Sequence, residues 1–184
     1  MKTNIPIIGG LCPMPVLLIA TYNEDGSTNV MNAEWATMLS KDTFLLVLDE
    51  EHQTVQNIKR THSFTISPAS SKYLIEADYF GIVSAHHVPH KFDNTPLTSS
   101  LSQLIQAPIL NEFPICLECL LIQMQYGIIG KIINISIDEE NLIDGKVAMD
   151  KLDLICFDPY TRSYYTIGNR VGEAFTDGLQ IKKG

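Results

Sequence analysis

Residues 15–37 read PVLLIATYNEDGSTNVMNAEWAT, and the fold depends on how they divide. Val16 to Thr21 is a continuous apolar, β-branched-rich run, Asn23-Glu24-Asp25-Gly26 supplies turn chemistry, and an extended pattern resumes at Thr28. That order predicts a β-hairpin. The second strand then leaves simple alternation, because Met31, Asn32, Ala33, Glu34, Trp35, Ala36 and Thr37 mix small, amide and aromatic side chains. Small residues let a ligand approach the backbone, main-chain N–H groups can meet its acceptors, and the only tryptophan in the chain offers an apolar wall. The mixture suits a flat ligand with polar edges.

The whole chain, 184 residues and 20.5 kDa, is long enough for one proper core and too short for two domains of ordinary size. A single domain over residues 1–184 is expected. Hydrophobic residues make up 45% and charged ones 18%, few charges to cover a monomer, so some surface is expected to be buried in a partner, most simply a second copy. The formal charge of −8 argues against a nucleic-acid backbone or an anionic membrane surface as partner. No apolar run approaches the length of a membrane span and the first residues lack a signal-peptide pattern, which makes a cytoplasmic location the expectation. Cys12, Cys116, Cys119 and Cys156 sit in apolar surroundings that suggest a reducing compartment rather than a disulfide framework.

Further along, Thr43–Asp49 reads as a central strand, and Gln53 to Arg60 as a helix with Thr54 as its N-cap. The start of that helix is the best anion site in the chain. First-turn N–H groups, the Thr54 hydroxyl and His52 or Gln53 could hold a phosphate monoester. Ser63–Ser67 reads as a strand ended by Pro68, Tyr73–Tyr79 as a short helix, and Leu97–Ile109 as a helix with Leu97, Leu101, Leu104 and Ile105 on its packed side. Phe113–Tyr126 and Ile128–Asp138 form a second long hairpin around Gly127, Glu139–Lys146 is an acidic turn region, and Leu152–Phe157 a further strand. Lys182-Lys183-Gly184 reads as a loose tail.

Two constellations invite chemistry and are set aside. His86, His87 and His90 have no fourth ligand set to complete a metal site, and read either as a polar loop or as an electrostatic or proton-related contact at the edge of a bound ligand. Cys116 and Cys119 have C-x-x-C spacing inside a strand, where they point to opposite faces, so packing is expected rather than a catalytic dithiol.

Four segments in this order resemble the flavin reductase-like family, the flavoredoxin group. They are PMPVLLIATYNEDGSTNVMNAEW, the Thr54-x-x-Asn57-Ile58 helix start, the Gly81-to-Phe92 stretch matching G-x-x-S-G-x-x-x-x-K-F with Ala85 at the usual glycine, and Leu117-Glu118-Cys119. The resemblance spans about Pro13 to Phe175 and implies a mainly β fold with a few helices, the FMN-binding split β-barrel. It implies Met31, Asn32, Ala33 and Trp35 beside the flavin, the FMN phosphate at His52, Gln53, Thr54 and Asn57, and Ser84, Ala85 and Lys91 near the ring. The closing segment would place a turn near the barrel mouth, where Tyr164 or Tyr165 could cover the flavin, although an interior aromatic is the favoured reading of either. The resemblance also implies a homodimer. No catalytic side chain is implied, since flavin carries the hard chemistry. The implied activity is NAD(P)H-dependent reduction of FMN, with electrons passed to free flavin, a small acceptor or a redox protein. With no G-x-G-x-x-G, a pyridine nucleotide would bind without a Rossmann domain. An FMN-binding electron carrier without its own NAD(P)H oxidation is the alternative, and a barrel that has lost its flavin a third reading.

Overall fold

The computed structural model describes residues 1–9 and 12–183. After the short β1 (Met14–Pro15), β2 (Leu17–Tyr22) and β3 (Thr28–Ala33) form the expected hairpin, in register from Leu17 opposite Ala33 to Tyr22 opposite Thr28. Gly26 turns it at φ +84°, a conformation that costs other residues more. Leu18 and Ala20 are buried on one face of β2 and Ile19 on the other, which is why the run is apolar without alternation. Glu34 and Trp35 link β3 to β4 (Ala36–Met38), on which β5 (Thr43–Leu46) pairs back. Helix α1 (Gln53–Thr61) leads to β6 (Ser63–Pro68), and α2 (Leu74–Ile82) to a hairpin of β7 (Ser99–Leu101) and β8 (Pro108–Leu110). The long hairpin of β9 (Ile115–Gln123) and β10 (Ile128–Ile137) turns at Tyr126-Gly127, as expected. Two small hairpins close the chain: β11 (Leu142–Ile143) with β12 (Lys146–Val147), and β13 (Ile155–Asp158) with β14 (Ser163–Thr166), β1 adding to the latter.

Seven strands make one antiparallel sheet in the order β3-β2-β6-β9-β10-β5-β4. Its edges, β3 and β4, are consecutive in sequence, and the two residues between them reach across no more than about 10 Å. The sheet therefore has to curl until its edges nearly meet. Among the described residues no ladder joins β3 to β4, so the result is a split β-barrel. Phe44 on β5 meets Phe64 on β6 edge-on at 5.9 Å although β9 and β10 lie between them in the sheet, which places both rings inside the barrel. Ile19, Leu46, Ile66, Cys119 and Ile128 fill it with them, and Val55 and Ile58 of α1 close it. On the outer face α2 lays Ala77 and Phe80 over Leu18, Ala20 and Val30.

Four expectations are corrected. Residues 97–109 are no helix: Leu97 is buried while Leu101 and Leu104 are 60% exposed, so the leucines share no face, and the segment pairs as β7 with β8. The helix at residue 53 has His52 at its N-cap with no side-chain cap bond, which puts Thr54 inside the first turn. Strand β5 stops at Leu46 and lies next to the sheet edge rather than at its centre. The tail is helical through Lys183, in a 3₁₀ stretch from Asp177, and Gly184 lies outside the described residues. Among the described residues no helix is long and apolar enough to cross a membrane.

Candidate functional site

A cleft of about 340 Å³ opens beside the Glu34-Trp35 link. Met31, Asn32, Ala33 and Trp35 form one wall, His52, Gln53 and Thr54 a second, and Ser84, Ala85 and Lys91 a third. Asn57 does not line it. Its amide instead donates to Thr21 Oγ1 (3.1 Å) and Asn23 Oδ1 (2.9 Å) and accepts from Gln53 Nε2 (3.0 Å), tying the helix to the hairpin.

The helix-start wall is built from buried polar contacts. Thr54 Oγ1 accepts the Asn29 amide at 2.8 Å, which leaves its own O–H without an acceptor among the described residues. Asn29 Oδ1 and both amide atoms of Asn32 are buried and unpartnered. Unmet buried polar groups cost about 1–3 kcal/mol each, so the lining along β3 and the helix start is incomplete without something in the cleft. Flanking Ser84, His86 N–H and His87 N–H bond back to the Ser84 side chain and carbonyl, and Ala85 keeps ordinary negative φ, so alanine sits here without backbone strain. His86 Nε2 lies 2.6 Å from the Glu51 carbonyl oxygen and His90 3.7 Å from Asp25, tethering this loop to two neighbours. Among the described residues no three metal-ligating side chains converge.

Lys91 is buried, not solvated. Its ammonium donates to the Phe80 and Val83 carbonyls at 3.0 and 2.6 Å, capping the end of α2 and leaving one N–H for the cleft. Burial pulls its pKa down to about 8. The thiols of β9 are opposite in temper to catalytic cysteines. Burial pushes Cys116 up to about 11, with Glu118 adding to it, and pushes Cys119 higher still. Cys119 faces the barrel core and Cys116 the other side. Tyr164 and Tyr165 do not line the cleft: Tyr164 packs on the outer core and donates to Asp78 Oδ1 at 2.9 Å, and Tyr165 is exposed. The pattern of small and amide residues did not single out Asn29, Glu34 or Asp49, which line the cleft too.

Residues 9–152 match the family model described as the flavin reductase like domain, and the chain belongs to that family. Its structure is similar to the flavoredoxin of Desulfovibrio vulgaris (Miyazaki F), with a TM-score of 0.92 and 32% identity over 97% of this chain and 100% of that one. The flavoredoxin of Methanosarcina acetivorans superposes with a TM-score of 0.88 at 26% identity, over 98% and 99% of the two chains. An uncharacterised protein of Pyrococcus abyssi is 28% identical over 143 residues, 74% of this chain and 81% of the relative.

Proposed function

We propose that this chain is a single-domain FMN-dependent oxidoreductase, working as a homodimer, that takes electrons from NAD(P)H and passes them to free flavin, a small acceptor or a redox protein. The observation that carries the reading is the incomplete lining: Asn32 and Asn29, which both line a cleft bounded by a helix start, have buried amide atoms with no partner. These donors and acceptors match the alternating edge of a flavin ring, and the free Thr54 hydroxyl, the first-turn N–H groups of α1 and Gln53 match a phosphate. Asn57 holds Gln53 in place. FMN, when bound, supplies the capacity to accept a hydride and release electrons singly or in pairs. The chain's own residues bind and orient: Trp35 and Met31 supply apolar surface, and Lys91 keeps a positive charge at the cleft. His52 stands at the helix start beside the phosphate position.

An anaerobic absorbance titration of the purified chain with FMN, then NADH or NADPH, tests the reading. Bleaching of the flavin's visible band on adding nucleotide is expected. Tight FMN binding without bleaching would replace the reductase by an electron carrier, and absence of FMN binding would overturn the proposal.

A further inference from the structure

The acidic wall of the cleft has no part in the binding scheme above. Glu34 sits half-buried in the link between the sheet edges and lines both the cleft and a neighbouring apolar groove of about 370 Å³. Behind it α2 brings Asp78, which holds the hydroxyl of Tyr164 from β14. Link, helix and closing strand are far apart in sequence and meet only in the fold.

The cluster is short of positive charge. None of the ion pairs among the described residues includes Glu34 or Asp78. The other titratable groups on the cleft walls are Asp49, His52 and Lys91. The Lys91 ammonium spends two of its donors on the carbonyls of Phe80 in α2 and of Val83 just past its end, and Asp49 Oδ1 accepts the Glu51 N–H. Burial holds the Glu34 carboxyl above the usual carboxylate range, its own backbone N–H opposes this, and the Asp78 carboxylate adds to it. Tyr164 is likewise raised, first by burial and then by its bond to Asp78; the nearby Asn32 amide opposes that shift without making a hydrogen bond of normal geometry. Asp78 therefore has a donor, and Glu34, facing the cleft, has none but the backbone.

Building on the flavin reading, we propose that Glu34 is the proton-accepting wall of the cleft, taking up a proton when a flavin covers it, with Asp78 and Tyr164 as positioning residues behind. The flat ring strips water from the carboxylate, and a carboxylate that loses water without gaining a cation is more stable as the neutral acid. One proton leaves the buffer, one carboxylate becomes a carboxylic acid, and no electron moves. The neutral acid can then donate its O–H to a ligand acceptor, which the carboxylate cannot do.

Calorimetric titration of the full chain with riboflavin and with FMN, at about pH 6 in two buffers of different ionisation enthalpy, counts the protons exchanged. Riboflavin has no phosphate, so its count reports the protein alone. Uptake with riboflavin in the wild type, lost in Glu34→Gln, is expected; the FMN count should be smaller, because its phosphate sheds protons on binding at this pH. Asp78→Asn keeps an acceptor for Tyr164 while removing the like charge, and should shift the uptake window to lower pH. That variant carries the test if Glu34→Gln does not fold. Below about pH 8, where Lys91 keeps its charge, wild-type riboflavin affinity should weaken by up to about tenfold per pH unit above the Glu34 pKa, and stay flat in Glu34→Gln. Equal riboflavin proton counts in wild type and Glu34→Gln, or none in the wild type with riboflavin bound, would overturn the inference and leave the flavin reading standing. Failure of both flavins to bind would overturn both.

Discussion

Thr54 has two contacts that substitution can separate. Its oxygen accepts the buried Asn29 amide, and its hydrogen is left for a ligand. Thr54→Ser keeps both and should bind FMN as the wild type does. Thr54→Val keeps the shape and loses both, so FMN affinity should drop about ten- to a hundredfold, the worth of a charge-assisted hydrogen bond, while stability drops by only about 1 kcal/mol. Fluorescence titration and urea melts of the two variants check this. Lys91 sets a pH window. Its folded pKa of about 8 lies below the ordinary 10.5, so between those values the unfolded chain holds a proton that the folded one releases, and stability rises with pH across that interval. Over the same interval the cleft loses its buried cation, and FMN affinity should fall above about pH 8. In Lys91→Met affinity should be low at neutral pH and show no such fall. The residue's burial was not legible in the sequence, because its partners are main-chain carbonyls eleven and eight residues back, which no side-chain pattern announces. Glu34 lies within residues 15–37, the stretch that sets the hairpin, but Asp78 and Tyr164, which give it meaning, are brought beside it only by the fold.

Elements with local turn chemistry were read well. The Asp-Gly turn and the unbroken run before it give the β2–β3 hairpin, whose register runs unbroken from the turn, and Gly127 gives the β9–β10 one, whose register shifts twice beyond the turn, at Ile129/Gly130 and Ile132/Asn134. Residues 97–109 were misread because leucine spacing fits a helix, whereas the chain there is set by its ends: Glu112 takes the Thr98 N–H at 2.9 Å and its hydroxyl at 2.6 Å, and Thr65 Oγ1 donates to the Pro108 carbonyl at 2.6 Å. Those contacts hold an extended hairpin on the barrel wall. Gly130 in β10 is fixed by packing instead. A methyl group there would lie 2.5 Å from Phe44 and 2.9 Å from Phe64, so the cross-barrel aromatic pair requires glycine. Gly130→Ala should lower stability by about 1–3 kcal/mol, read from the urea midpoint, with FMN stoichiometry unchanged.

For the whole molecule, the apolar groove beside the cleft shares Pro15, Ala36 and Thr37 with a second apolar hollow of about 280 Å³ that includes Met38 and Phe44. A continuous trench of this kind is the surface a homodimer would cover. Sedimentation velocity should show a dimer for the wild type and a monomer for Met38→Glu; a wild-type monomer would refute the assembly. At the junction of cleft and trench stands Trp35, 56% exposed, its carbonyl held by the Val47 N–H at 2.9 Å. Being the only indole in the chain, it gives the protein a built-in optical reporter. Its emission should be that of a wet indole when both faces are bare, shift to the blue when the trench is covered, and be quenched when a flavin lies against it, so that one spectrum separates assembly from ligand binding.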